Sequence, residues 1–276
     1  MSALGLFSQI PELTDVVWQR LSAFIEKELG IRMPIGKKSF LQNRLWRRIK
    51  HYGFKTFDEY CDFLFSDKGK VMERTSFFNE ITTNKTFFFR EYRHFEFLSD
   101  RILPEYVANF THAHTRLRVW SAACSTGEEI YSIACIIEEY MRAENVVIPY
   151  EIVGSDISTR VLWHAQCGVY EEEQIRMISP DILRRYFYAG KGDKAHLRRV
   201  KPEIRSRIKL RKINLMNDAY PHTNQFDVIF CRNALIYFSP EDISQIVTRA
   251  THYLKPGGYF IIGHADAIYD ASTKLR

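Results

Sequence analysis

The sequence predicts an α/β protein: a doubly wound, Rossmann-like parallel sheet with a small all-helical domain before it and a small subdomain inserted into it. Three observations carry this. Residues from about 12 to 100 place apolar side chains at helical spacing with no strand-like alternation. After about residue 115, short apolar runs alternate with helical patterns, as parallel strands joined by crossover helices require. Between the second and third of those strands lies an unusually long stretch, 168–207, with helical and strand-like pieces of its own. The predicted organisation is a helical domain over 1–80, a linker over 81–105 and a sheet domain over 106–276, with the insertion at about 168–207.

In chain order, TDVVWQRLSAFIEKELG reads as a helix capped by Thr14 and closed by Gly30. GKKSFLQNRLWRRIKHYG reads as a basic amphipathic helix, with Phe40, Leu45 and Ile49 on one face, Lys38, Arg44, Arg47 and Arg48 elsewhere, and Gly53 at its end. FDEYCDFLF and EYRHFEFLSDRIL are further helices. The sheet then follows as LRVW, YEIVGSD, RIKLRKINL, FDVIFCRN and GYFIIGH, with helices at EEIYSIACIIEEYMRA and ISQIVTRATHYL. Within the insertion, SPDILRRYF predicts a helix and HLRRV a short strand.

Composition excludes several classes. Apolar residues make up 46% and charged residues 26%, the balance of a folded globular chain rather than a disordered one. The first fifteen residues lack a basic start and an apolar core, and no stretch of about eighteen residues is free of charge. A cytoplasmic protein without membrane insertion is expected. Cys61, Cys124, Cys135, Cys167 and Cys231 are scattered without a CxxC pair, which predicts buried reduced thiols and neither disulfides nor a metal centre. The net charge of +6 is segregated. Leu29 to Phe57 holds eight Lys/Arg and no acid, and Arg184 to Lys212 holds twelve against two, so two basic faces are available to an acidic partner. A solvated helix face is the equally weighted alternative for the first.

Open parallel sheets bind ligands outside the carboxyl ends of their strands, where the strand order reverses. The first strand runs into SAACSTGEE, a loop of small residues with Gly127 as its permissive point. It is not GxGxxG and no Lys follows the glycine, so neither a nicotinamide site nor a phosphate loop is supported. Glu128 and Glu129 would repel phosphate but could hold an ammonium group. The second strand ends in Asp156, suited to ribose hydroxyls, although a lone acid there is more often a helix cap. The third delivers Asn214 and Leu215, suited to the edge and face of adenine. The fourth delivers Cys231, Arg232, Asn233 and, after one turn, Tyr237. Together with KPGG before the last strand, this set looks like the seven-stranded, class I S-adenosyl-L-methionine-dependent methyltransferases.

TTNKTFFFRE, VWSAACSTGEEIYSIA, IVGSDIS, FDVIFCRNALIYF and LKPGGYFIIGH resemble, in order and over nearly the whole chain, the CheR-type chemotaxis receptor glutamate methyltransferases. The resemblance implies methyl transfer from S-adenosyl-L-methionine to receptor glutamates, with S-adenosyl-L-homocysteine as product. It also implies a linker motif, here Thr83, Asn84, Thr86, Phe88, Phe89 and Arg90, that enters the cofactor pocket. By matched position Asn84, Thr86, Arg90, Glu129, Asp156, Asn214, Leu215, Cys231 and Arg232 would line that pocket, with Arg90 and Tyr237 beside the transferred methyl group. The basic helix, through Lys37, Lys38, Arg44, Arg47 and Arg48, would meet the chemoreceptor's cytoplasmic helices, and the inserted subdomain would offer a place for a receptor's C-terminal tail. A monomer without nucleic acid is expected. Most of the linker phenylalanines read as packing. The chain departs from the family pattern at Ile130, Ala234 and His264-Ala265-Asp266, the last leaving open whether the closing antiparallel strands are complete. RNA methylation and a non-catalytic cofactor-binding adaptor remain as alternatives.

Overall fold

A computed structural model of the protein describes residues 10–109 and 116–267. The chain divides into two compact units, one through Thr83 and one from Asn84 onward. The first contains α1 (Asp15–Leu29), α2 (Lys38–Tyr52), α3 (Phe57–Phe65), α4 (Asp67–Met72) and α5 (Arg74–Ile81). Thr14 accepts the Val17 N–H and Gly30 closes α1 at φ 67°, as the sequence predicts. The buried stripe of α2 is Leu41, Leu45 and Ile49. Phe40, expected on that stripe, is only half-buried and lies 4.8 Å from the Arg44 guanidinium carbon. Positions four apart stay in register on a helix, whereas residue 40 is rotated about 100° from residue 41.

Much of the basic face of α2 is engaged within its own unit. Lys38 pairs with Asp15 at 2.5 Å, while Lys37 and Arg44 donate to the carbonyls of Arg32 and Glu80. Arg48 grips the fully buried Glu73 through two bonds of 2.9 and 2.6 Å, and Tyr60 Oη donates to the same carboxylate at 2.7 Å. Arg47 is exposed.

The second unit begins with the linker and α6 (Arg93–Phe97), a π-helical turn (Leu98–Ile102) and α7 (Leu103–Ala108). The widened turn sits immediately before Pro104, which lacks an N–H and crowds the preceding turn of a regular helix. There follow β1 (Leu117–Ala122), α8 (Glu128–Glu144), β2 (Tyr150–Asp156), α9 (Thr159–Cys167), β3 (Val169–Glu171), α10 (Glu172–Ile175), α11 (Pro180–Tyr186), β4 (Phe187–Ala189), β5 (Leu197–Val200), α12 (Pro202–Arg205), β6 (Ile208–Lys212), β7 (Phe226–Cys231), α13 (Pro240–Thr251) and β8 (Leu254–Ile262).

Five strands form the main sheet in the order β6-β2-β1-β7-β8, and every neighbouring pair is parallel. Alternation along β1 sends Leu117 and Val119 into the core that holds Phe88, Phe95 and Ile133, and Trp120 and Ala122 into the core beneath Ile246 and Val247 of α13. A strand buried on both faces reads as a continuous apolar run, which explains why β7 appears in the sequence as FDVIFC. The insertion carries its own antiparallel sheet, β3-β5-β4, with α11 capped by Ser179. The α/β class and its parallel sheet are as predicted. Of the seven strands of the class, five lie in the main sheet among the described residues, and positions 268–276, where the closing strands were in question, fall outside them. The order of strands reverses across β1, whose neighbours are β2 on one side and β7 on the other. The crevice above Ala122 and Cys231, which are register partners, is therefore the switch point.

Candidate active site

The loop after β1 turns back on itself through left-handed residues at Ala123 (φ 61°), Ser125 (φ 51°) and Gly127 (φ 98°). A side chain at position 127 would place its Cβ 2.8 Å from Ala165 Cβ and 2.9 Å from Tyr170 Oη, so glycine is required for space as well as for φ. Asp156, at the end of β2, fixes this loop: it accepts the Ser125 N–H at 3.0 Å and the Ser158 N–H at 2.9 Å. Burial pushes its carboxyl up, against the pull of those backbone donors. Ser158, not Asp156, caps α9 by accepting the Val161 N–H, so Asp156 ties two loops together and still has a second lone pair on each oxygen for a ligand hydroxyl.

The end of β7 supplies the centre of a charge network. The Arg232 side chain is 1% exposed and lies between two carboxylates, 3.0 Å from Glu129 and 3.2 Å from Glu91, and it also donates to the Arg90 carbonyl. Its plane lies over Phe95, with the guanidinium carbon 5.4 Å from the ring centre. Glu129 takes a second bond from Ser121 Oγ at 2.7 Å; burial pushes its carboxyl up and Arg232 opposes this. Glu91 also accepts from Asn233 Nδ2 at 2.9 Å and from the His264 N–H at 3.3 Å. Burial works on it too, but the Asn233 bond and the Arg232 charge hold its carboxyl below the ordinary range. The acids at the start of α8 are therefore not bare anions: Glu128 accepts from Thr126 Oγ1 at 2.6 Å and Gln174 Nε2 at 3.3 Å.

The linker is attached to the same place. Asn84 accepts Ser125 Oγ on its carbonyl at 3.0 Å, and the Phe89 N–H donates to Ser132 Oγ of α8 at 2.9 Å. Phe88 packs edge-on against Tyr170 and Phe187, in line with the packing role expected of it. Arg90 donates to the Lys85 carbonyl at 3.0 Å and covers Phe87; Thr86 is half-buried. On the far strands, Asn214 Oδ1 accepts the Met216 N–H, and the Leu215 carbonyl accepts from Tyr220 Oη and Arg249. Cys231 is buried at the sheet end, where loss of solvation pushes its thiol up, and Tyr237 closes a single 3-10 turn, Leu235–Tyr237, half-buried.

Four neighbours of the candidate site escaped sequence reasoning as contacts: Glu91, Ser121, Asn233 and Asp266. Asp266 accepts the backbone N–H groups of Asn233 (2.5 Å), Gly263 (2.9 Å) and Ile236 (3.1 Å), holding together the loops after β7 and β8. Glu91 stood in the quoted TTNKTFFFRE, but its partners are 141 to 173 residues away, and no local pattern carries such a pairing. Glu91, His94 and His264 also bring one metal-ligating atom each within 4.8 Å of one another. Arg232 and Asn233 already occupy that carboxylate.

Backbone strain is concentrated here as well. Phe89, Glu91, Ala123, Ser125 and Asn233 are left-handed non-glycine residues, each costing of order 1–3 kcal/mol unless its surroundings hold it.

The donor set fits S-adenosyl-L-methionine. A loop without bulky side chains admits a ligand to the backbone, the buried Asp156 and the Asn214 amide follow strand ends with the part-buried Glu129 at the start of α8, and Arg232 Nε is buried with no hydrogen-bond partner. Parallel sheet, switch-point crevice and this donor set define an S-adenosyl-L-methionine-dependent methyltransferase. Residues 84–276 match the family described as CheR methyltransferase, SAM binding domain, and residues 17–82 match CheR methyltransferase, all-alpha domain. The chain belongs to the CheR methyltransferase family. It is 38% identical over 249 residues to chemotaxis protein methyltransferase 1 of Pseudomonas aeruginosa, covering 89% of this chain and 88% of that one. It is 36% identical to the chemotaxis protein methyltransferase of Escherichia coli (92% and 85%) and 34% identical to that of Borreliella burgdorferi (90% and 87%).

Proposed function

We propose that the protein esterifies glutamate side chains on the cytoplasmic helices of chemotaxis receptors. The observation that carries this reading is the likeness, over about nine tenths of the chain, to relatives named chemotaxis protein methyltransferase. The bound donor supplies a methyl group on a sulfonium, and a neutral thioether leaves when a nucleophile takes that methyl. A glutamate nucleophile is ionised at neutral pH, since its reference pKa is about 4.3, so the protein has no proton to remove. Its task is to strip water from the carboxylate and align one oxygen. In this reading Arg90 and Tyr237 hold the incoming carboxylate, Arg90 also offsetting its charge, while Asp156, Glu129, Arg232, Asn214 and Leu215 hold the donor.

The two basic windows suit an acidic helical partner, chiefly by steering encounter. Since Lys38, Arg44 and Arg48 are engaged within their own unit, the exposed Arg47 and Lys50 are the cations of α2 that would meet a receptor. The inserted subdomain, with nine Lys/Arg between Arg184 and Arg207, suits a receptor tail. The test is transfer of tritiated methyl groups to receptor cytoplasmic fragments, with RNA in parallel. Base-labile label on receptor fragments is expected, with a several-fold lower rate for Arg47→Glu at unchanged donor affinity. Label on RNA, or donor binding without transfer to any fragment, would overturn the reading.

A further inference from the structure

Two carboxylates, Glu91 and Glu129, share one buried guanidinium. Glu129 approaches Arg232 more closely and has Ser121 as a second donor. Glu91 has neutral donors besides Arg232, namely Asn233 Nδ2 and the His264 N–H, while the half-buried His94 ring stands 3.5 Å from it. The neighbouring groups deepen the imbalance, because Asp156 and Asp266 are satisfied by backbone N–H groups alone and Glu128 by Thr126 and Gln174. Arg90, whose guanidinium is turned to the Lys85 carbonyl, and Lys212, the register partner of Asp156, are further cations near the site among the described residues. At the switch point, carboxylates outnumber cations.

The methyl donor and its product differ by one charge. With its sulfonium, ammonium and carboxylate the donor is a net monocation, and once the sulfonium has become a thioether the product is neutral. We propose that Glu91 is a specificity-determining residue whose charge, left over after Arg232 is shared with Glu129, favours the cationic donor over the neutral product. Its fixed place in the fold supports this. A left-handed backbone (φ 57°) and bonds to the loops after β7 and β8 hold its carboxylate at the crevice, where low solvent access strengthens a charge. The proposal rests on the reading of this crevice as the donor site.

Calorimetric titration of the whole protein with S-adenosyl-L-methionine and with S-adenosyl-L-homocysteine, in the presence of a chelator, tests it. For Glu91→Gln the donor's affinity should fall about three- to tenfold and the product's by less than about twofold, as expected for removal of one nearby charge. Glu91→Asp, which keeps the charge on a shorter arm, should preserve the ratio of the two affinities even if both weaken. A Glu91→Gln protein that does not fold leaves the Glu91→Asp ratio as the readout. Equal weakening of both ligands by Glu91→Gln, or a ratio lost in Glu91→Asp, overturns the proposal. An unaltered protein that binds neither ligand overturns instead the reading of the crevice.

Discussion

Arg232 illustrates how a single buried ion can organise a site. Removing one partner of such a group leaves an uncompensated charge, which typically costs about 3–5 kcal/mol. The guanidinium is placed by the strand end of β7, but its partners come from the linker and from α8. Tyr237 has a different role. It stands one turn beyond Arg232 on a short 3-10 segment, and nothing in the donor-binding reading depends on its hydroxyl. Tyr237→Phe should lower turnover by at least about tenfold, the scale of losing one hydrogen-bond donor at a reacting centre, while donor affinity measured by calorimetry stays within about twofold. Unchanged turnover would remove Tyr237 from the catalytic set. Local chemistry made Asp156, Glu129 and Arg232 legible as candidates, because this fold class exposes strand ends and the helix starts that follow them. It could not reveal Glu91 or Asp266, whose roles consist of bonds to distant loops.

Among the elements, the loop between β1 and α8 is the one most tightly specified. Three left-handed residues within five positions are tolerated because Asp156 holds the Ser125 N–H and the Cys124 N–H donates to the Ser155 carbonyl. Gly127→Ala would add strain of about 1–3 kcal/mol from the backbone alone, before the contacts with Ala165 and Tyr170 are relieved. A melting temperature lowered by about 3–10 °C, together with weakened donor binding, is the expected outcome. A variant that melts like the parent would show that the loop can repack. Helix boundaries were well marked in the sequence wherever a cap or glycine set them, as at Thr14, Gly30, Gly53 and Ser179. The face of α2 was less legible: Phe40 and Leu41 are both apolar, and only packing against the rest of its unit decided which was buried.

Across the whole molecule, buried titratable groups pull the pH dependence of stability in opposite directions. Burial raises the carboxyls of Glu128, Glu129, Asp156 and Asp266, so each is protonated more readily folded than unfolded. Their ionisation costs stability as pH rises above the ordinary carboxylate range. His222 acts in the other sense. Packed 4.5 Å from the Trp120 ring and near Arg211 and Arg118, it is lowered to about 4, chiefly by burial. A half-buried imidazole held neutral contributes full stability above about pH 6.5 and loses it as pH falls towards 4. His222→Phe keeps the aromatic contact and removes the proton. Its melting temperature relative to the parent should therefore rise progressively between pH 6.5 and 4; a constant difference would mean that His222 is solvated.

The sequence by itself determined the α/β class, the helical unit before it, the presence of an insertion with a helix and a short strand, and the strand ends that offer candidate donor-binding residues. These follow from periodicity, caps and residue type, all of which act over a few positions. Only the tertiary structure decided that Lys38, Arg44 and Arg48 are engaged internally, that Asp156 joins the loop after β1 to the turn after β2 while Ser158 caps α9, and that Glu91 shares Arg232 with Glu129. Each of those outcomes is a competition for a buried partner, and burial brings together residues separated by up to 173 positions in the chain.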